Sequence, residues 1–320
     1  MKHLLAAIGL LLPVAGFGQD YQHYTMFMYN KLQYNAGYAG SRNVLSVNAA
    51  YRNQWSGIDG APVNMSISID GPLGHDYMES FRKVALGLVI NRESTGPVDN
   101  TNINAYYAYR VKMQNASMLS LGLQAGVSLY NARYSELHAF DETDEQLLHD
   151  VKGAVLPNFG FGAFWSSKRY YLGLSVPNLL ENYFDKNQKS YLNGKQARQL
   201  RSYFLTGGYT LPLSTNVSLL PQAIARYSAD SRYDLPFNAD INLSAIFYQR
   251  FMIGATYRTN KSISGIVHIQ VAKKLNIGYS YDYQTSDLGR YSRGAHEITL
   301  GFDFIRDLND YADPRFIQNF

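Results

Sequence analysis

The chain has 320 residues and a formal net charge of +4 that is spread along its length, which leaves no electrostatic footprint for nucleic acid. It has no cysteine, so a disulfide scaffold, a thiolate metal site and a cysteine nucleophile are excluded. Only 17% of residues are charged, whereas tyrosine (27) and glycine (26) are abundant; an average soluble domain is about 25% charged.

Taken in chain order, the first element is an export signal. Lys2 is its positive end, and Leu4 to Val14 form an apolar core too short to span a bilayer. Ala15-Gly16-Phe17-Gly18 supplies small residues for cleavage, so residues 1–18 are expected to be removed, leaving Gln19 first. No run of 18 apolar residues follows, so no transmembrane helix is expected. Residues 19–42 form a lead-in before the first strand, expected to thread into a lumen or to pack in the periplasm.

From residue 43 to 305 the pattern has period two. Val63, Met65, Ile67 and Ile69 alternate with Asn64, Ser66, Ser68 and Asp70; Ile298, Leu300, Phe302 and Phe304 alternate with Glu297, Thr299, Gly301 and Asp303. About 14 such segments are expected, near 43–54, 62–71, 82–92, 101–112, 117–130, 157–166, 169–177, 200–211, 216–227, 237–248, 250–259, 262–272, 274–284 and 295–305. Most are roughly 9–12 residues, the length a tilted strand needs to cross a bilayer. The long connections (131–156, 178–199, 228–236) all leave odd-numbered segments, and most connections leaving even ones are short. Tyr106, Tyr107, Tyr109, Tyr130, Tyr170, Tyr171, Tyr248 and Phe247 cluster near segment ends, as interfacial girdles do. The expected fold is all-β: a transmembrane antiparallel outer-membrane barrel with both termini periplasmic and a C-terminal periplasmic tail, residues 306–320.

No catalytic motif stands out. Gly173-Leu-Ser175-Val-Pro177 lacks the second glycine of a nucleophile elbow, and His268 and His296 have no serine partner in sequence. No cofactor and no enzyme activity are expected. In the acidic loop 135–150, Asp141, Asp144 and Glu145 are weak metal candidates, but the register of a calcium loop is missing. Arg52, Arg110, Arg226 and Arg258 lie on polar faces; they line an anion-selective pore or pair with Asp70, Asp240, Asp282, Glu297 and Asp303. Pairing is favoured because buried charges are rarely left alone.

Tyr51-Arg52-Asn53-Gln54-Trp55, followed by Gly57, Ile58, Gly60, Ala61 and Pro62, is preceded by Asn35, Tyr38, Ala39, Gly40 and Ser41. This ordered set resembles the N-terminal signature of the PorP/SprF family, outer-membrane proteins of the type IX secretion and gliding motility systems of Bacteroidota. The family's proline and alanine are Ala36 and Gly37 here, which loosens the turn before the first strand. Further matches are Phe251 to Arg258, His296-Glu297-Ile298 and Asp313 to Phe316. The resemblance implies an outer-membrane location, a role in secreting or anchoring a surface adhesin with a C-terminal sorting domain, and partners among periplasmic or lipoprotein components of the machine, besides outer-membrane lipid. It singles out Asn35, Tyr38, Gly40, Arg52, Asn53, Gln54 and Trp55 as partner-binding or structural positions. On this reading the outside loops hold the exported partner, while the lead-in and the turn at 71–81 contact the machine. A passive porin or solute transporter is the alternative.

Overall fold

A computed structural model describes residues 24–73, 83–114, 117–136, 150–183, 199–229 and 237–304. The signal segment, the metal candidates Asp141, Asp144 and Glu145, and the tail 306–320 lie outside the described residues. The strands are β1 (Leu45–Asn53), β2 (Val63–Pro72), β3 (Val84–Thr95), β4 (Val98–Lys112), β5 (Met118–Ala132), β6 (Val151–Ser166) and β7 (Tyr170–Val176). They continue as β8 (Arg201–Tyr209, resumed over Leu211–Pro212), β9 (Val217–Ala229), β10 (Asn238–Phe247), β11 (Phe251–Arg258), β12 (Ser262–Ala272), β13 (Leu275–Gln284) and β14 (Ala295–Phe304). Each strand pairs antiparallel with its chain neighbours, and β14 returns to β1 with Leu45 opposite Phe304 and Asn53 opposite His296. The result is a closed barrel without a free edge, the form in which a sheet satisfies its backbone inside a bilayer.

The alternation sets the faces as the sequence predicts. Met65, Ile67 and Ile69 point outward and are exposed, whereas Asn64 and Asp70 are buried inside. Adjacent tyrosines split between the faces: Tyr107 and Tyr109 point outward, but Tyr106, Tyr130 and Tyr171 are buried in the lumen and belong to no girdle. Strict period two decides this, since neighbours in a strand cannot share a face.

Two hairpins run further than the apolar pattern suggests. β3 and β4 continue to Thr95 and from Val98, leaving only Gly96 and Pro97 between them, and β6 starts at Val151 rather than 157. The β3–β4 extension is polar (Glu93, Ser94, Thr95, Asp99, Asn100), so cross-strand hydrogen bonds rather than contact with lipid hold it, whereas the β6 extension is mostly apolar (Val151, Ala154, Val155, Leu156). Connections leaving odd strands gather at one end of the barrel, the loop end. Leu45 and Phe304 lie at the other, the terminal end.

The lead-in runs inside the barrel. Residues 24–42 are buried throughout, as a 3-10 turn (Phe27–Tyr29), one α-helical turn (Lys31–Tyr34) and a second 3-10 turn (Ala36–Tyr38). The segment starts among the loop-end residues of β1, β13 and β14 at Thr25, and reaches the terminal end at Arg42. The Ala36–Tyr38 turn lies flat on β5 and β6, where the wall is glycine. A Cβ on Gly122 would overlap the Ala36 carbonyl carbon, and one on Gly37 would stand 2.8 Å from the Ser120 carbonyl oxygen. Gly37, a departure from the family pattern, is thus what lets the backbone approach so closely. Gly122→Val is expected to push this turn off the wall and to destabilise the barrel by about 1–3 kcal/mol. Gly265→Ala, with nothing within 4 Å of the added methyl, is the matched neutral control. Gel-shift unfolding temperatures of the two variants check this.

Candidate functional site

The loop-end half of the lumen holds the densest chemistry. Arg52 on β1 reaches Asp282 on β13 (2.6 Å) and Glu297 on β14 (3.2 Å), with all three side chains buried. Arg258 on β11 pairs with Asp240 on β10 (3.1 Å) and lies 3.7 Å from Asp282. Arg226 stands within electrostatic reach of Asp240. Thr25 of the lead-in sits at the centre. Its hydroxyl donates to Asp282 (2.7 Å) and accepts from Arg52 (2.8 Å) and Arg258 (3.2 Å). The backbone N–H groups of Thr25 and Met26 donate to the Glu297 carboxylate at 2.7 and 3.1 Å. Six side chains from five strands and the lead-in therefore close one charge-assisted network, and each charge faces an opposite one.

A second lock lies at the terminal end. Arg42 forks onto both oxygens of Asp303, and Ser46 donates to the same carboxylate at 2.9 Å. Asp70 accepts the N–H of Gly40 at 2.8 Å, and Gly40 has a left-handed backbone (φ +69°) that suits glycine. Between the locks, Lys31 places its ammonium 3.9 Å from the centroid of the Tyr171 ring. Tyr29 stacks on His268 at 4.2 Å, and the Ser175 hydroxyl donates to the Tyr34 carbonyl at 2.6 Å. Ser175 and His268 are thus both engaged with the lead-in.

The predicted signature positions fall into two groups. Asn35, Tyr38, Gly40 and Arg52 serve the plug. Asn35 caps its turn by accepting from the Gly37 N–H (2.8 Å) and donates to the carbonyls of Ala163 and Leu174 (3.0 and 3.3 Å). Tyr38 meets Phe164 edge-on at 5.4 Å. Asn53, Gln54 and Trp55 instead sit at the loop-end rim. The Gln54 N–H donates to the Pro62 carbonyl (2.9 Å), and Trp55 adopts φ +52° where the chain turns. The next residue, Ser56, exchanges backbone hydrogen bonds with Arg293 and Gly294 at 2.8 Å. Of the predicted carboxylates, Asp282, Glu297 and Asp240 pair with predicted arginines, whereas Asp303 takes Arg42 and Asp70 takes a backbone amide. Arg110 donates to Asn43. Thr25, Lys31 and Arg42 have no signal in strand periodicity, because they lie outside the strands. At the base of the acidic loop, the backbone and hydroxyl of Ser135 donate to Asp150 and hold its carboxyl below the usual carboxylate range.

The model of a family described as type IX secretion system membrane protein PorP/SprF matches residues 16–302. The chain belongs to the PorP/SprF family. It is accordingly a membrane component of the type IX secretion system, located in the outer membrane, with other secretion components as partners. In this family member, three segments that matched the signature far apart in sequence contribute Arg52, Arg258 and Glu297, and all three meet Thr25. Among solved structures, the Acinetobacter baumannii outer membrane protein Omp33 is similar at 7% identity and a TM-score of 0.45, over 82% of this chain and 98% of that one. The NanC porin gives 11% identity and 0.41, over 82% and 99%. A Rhodopseudomonas blastica porin variant gives 10% and 0.34, over 81% and 99%. No curated protein matches.

Proposed function

We propose that this PorP/SprF protein is a sealed outer-membrane anchor, which binds an exported sorting-domain protein or a neighbouring machine component at its rims and conducts no solute. One observation carries this reading. An inward residue can be taken from every strand (Ser46, Asn64, Ala85, Tyr106, Ser120, Asn158, Ser175, Ser202, Leu220, Asn242, Met252, Ser264, Ser280 and Thr299), and none is more than 6% exposed. A hydrated pore wets its inner wall; here the buried lead-in occupies the lumen and packs against that wall. Binding surfaces then remain at the rims. Asn53, Gln54 and Trp55 belong to the loop-end rim, which faces outside on this reading. Residues 24–42 of the lead-in are buried, so on this reading contact with the machine falls to the terminal-end turns rather than to these residues.

A deletion strain tests this directly. Surface display of the client adhesin, followed by antibody labelling of whole cells, is expected to fall to background and to return with the wild-type gene. Wild-type display in the deletion strain sinks the proposal.

A further inference from the structure

The outward face of the loop end is not uniform around the barrel. On β1, β8, β9, β11 and β13 it carries Tyr51, Tyr203, Tyr227, Tyr257, Tyr281 and Tyr283, all exposed, as an interfacial girdle requires. On β3 to β6 the described residues at that end include no outward aromatic. There the outward ladder passes from Ile90, Ile103 and Val127 to Arg92, Thr101 and Leu129, and then to Asp99 and Asn131. Arg92 is two residues beyond Ile90, about 7 Å along the strand, so the charge begins where the apolar band ends. Arg133 and Lys152 stand beside it.

These residues line an open pocket of about 400 Å³ together with Val151: Arg92, Asp99, Thr101, Asn131, Arg133 and Lys152. Three cations and one carboxylate line it. Asp99 accepts from Arg92 (2.9 Å) and from Ser94, and lies 3.6 Å from Arg133, so one carboxylate orients two guanidinium groups. Two further carboxylates stand just outside the lining: Glu136 is 3.5 Å from Arg133 and Asp150 is 3.8 Å from Lys152. Such exposed pairs are weak and open to exchange. Two oriented guanidinium groups beside an ammonium suit the oxygens of a phosphate.

We infer that this pocket is a binding site for the phosphate-bearing headgroup of an outer-leaflet glycolipid. The outward parity of the cluster, its position just past the apolar band and the run of neighbouring strands without loop-end outward aromatics all favour a membrane lipid over a soluble anion. The lipid fixes this side of the barrel in the leaflet, while the tyrosines anchor the rest.

The test uses the full-length protein in detergent with native mass spectrometry and bisphosphorylated lipid A as the probe. The triple variant Arg92→Gln, Arg133→Gln and Lys152→Gln is expected to bind about tenfold more weakly than wild type. Dephosphorylated lipid A is expected to bind the wild type with the same loss. The terminal-end triple Lys112→Gln, Lys168→Gln and Arg169→Gln is expected to bind like wild type. Unchanged binding of the first triple, or of dephosphorylated lipid, overturns the site. Inorganic phosphate that binds as tightly as lipid A overturns the lipid as its source. The lipid arms on wild-type protein decide the matter even if a variant fails to fold.

Discussion

Deleting residues 24–43 is expected to turn a silent barrel into a conducting one. The wild type, reconstituted in a planar bilayer, is expected to show no steady channel. The lead-in packs against the inner wall here, with Tyr29 stacked on His268 at 4.2 Å. Without the lead-in, the inner wall that remains is polar along much of its height, with Ser46, Asn242, Ser244, Thr256, Ser264 and Ser280, and such a surface takes up water readily. The barrel itself is expected to survive the deletion, because its ladder closes through β1 and β14 without strand pairing from the lead-in. Arg52 and Arg258 also stay beside Asp282 and Asp240 once Thr25 is gone. Single-channel recording is the measurement. A deletion variant that folds and stays silent shows that something other than the lead-in closes the lumen, and the sealed-anchor reading then loses its physical basis.

The second large effect is expected at Arg52. Arg52→Met removes the cation shared by Asp282 and Glu297 and leaves Glu297 held only by the N–H groups of Thr25 and Met26. Breaking a buried pair from one side costs about 3–5 kcal/mol, because the orphaned charge stays out of water. Arg52→Lys is expected to recover only part of this, since an ammonium is a compact point charge without the planar fork that spans Asp282 and Glu297. Combining Arg52→Met with Asp282→Asn and Glu297→Gln is expected to restore more stability than Arg52→Lys, because the repulsive charges are removed together with their partner. Urea unfolding in lipid vesicles, followed by the gel shift of the folded form, orders the four proteins. An Arg52→Met barrel as stable as wild type shows that the network contributes nothing to holding the lead-in.

The wall was legible from side-chain alternation alone. Leu45, Val47, Ala49 and Tyr51 face outward, and Ser46, Ala50 and Arg52 face the lumen, as period two requires. The number of strands, the gathering of the long connections at one end and the inward placement of the charges follow from the same local rule. Tyr106, Tyr130 and Tyr171 show the limit of judging by composition: aromatic character suggested a girdle, and parity placed them inside. The outer end of the hairpin around Gly96 was missed because strand above the apolar band carries no hydrophobic alternation and is held by hydrogen bonds alone.

What the sequence determined by itself was therefore the barrel, its faces and, through the run from Tyr51 to Pro62, its family. What only the tertiary structure decided was the interior. Thr25 meets Glu297 across 272 positions, and Arg42 meets Asp303 across 261. Alternation is a property of neighbours two residues apart and says nothing about partners so distant. The lead-in has no periodicity, because its residues touch wall on every side rather than dividing between lipid and lumen. Its place inside the barrel is fixed by buried charges that need partners and by glycines that leave room for it.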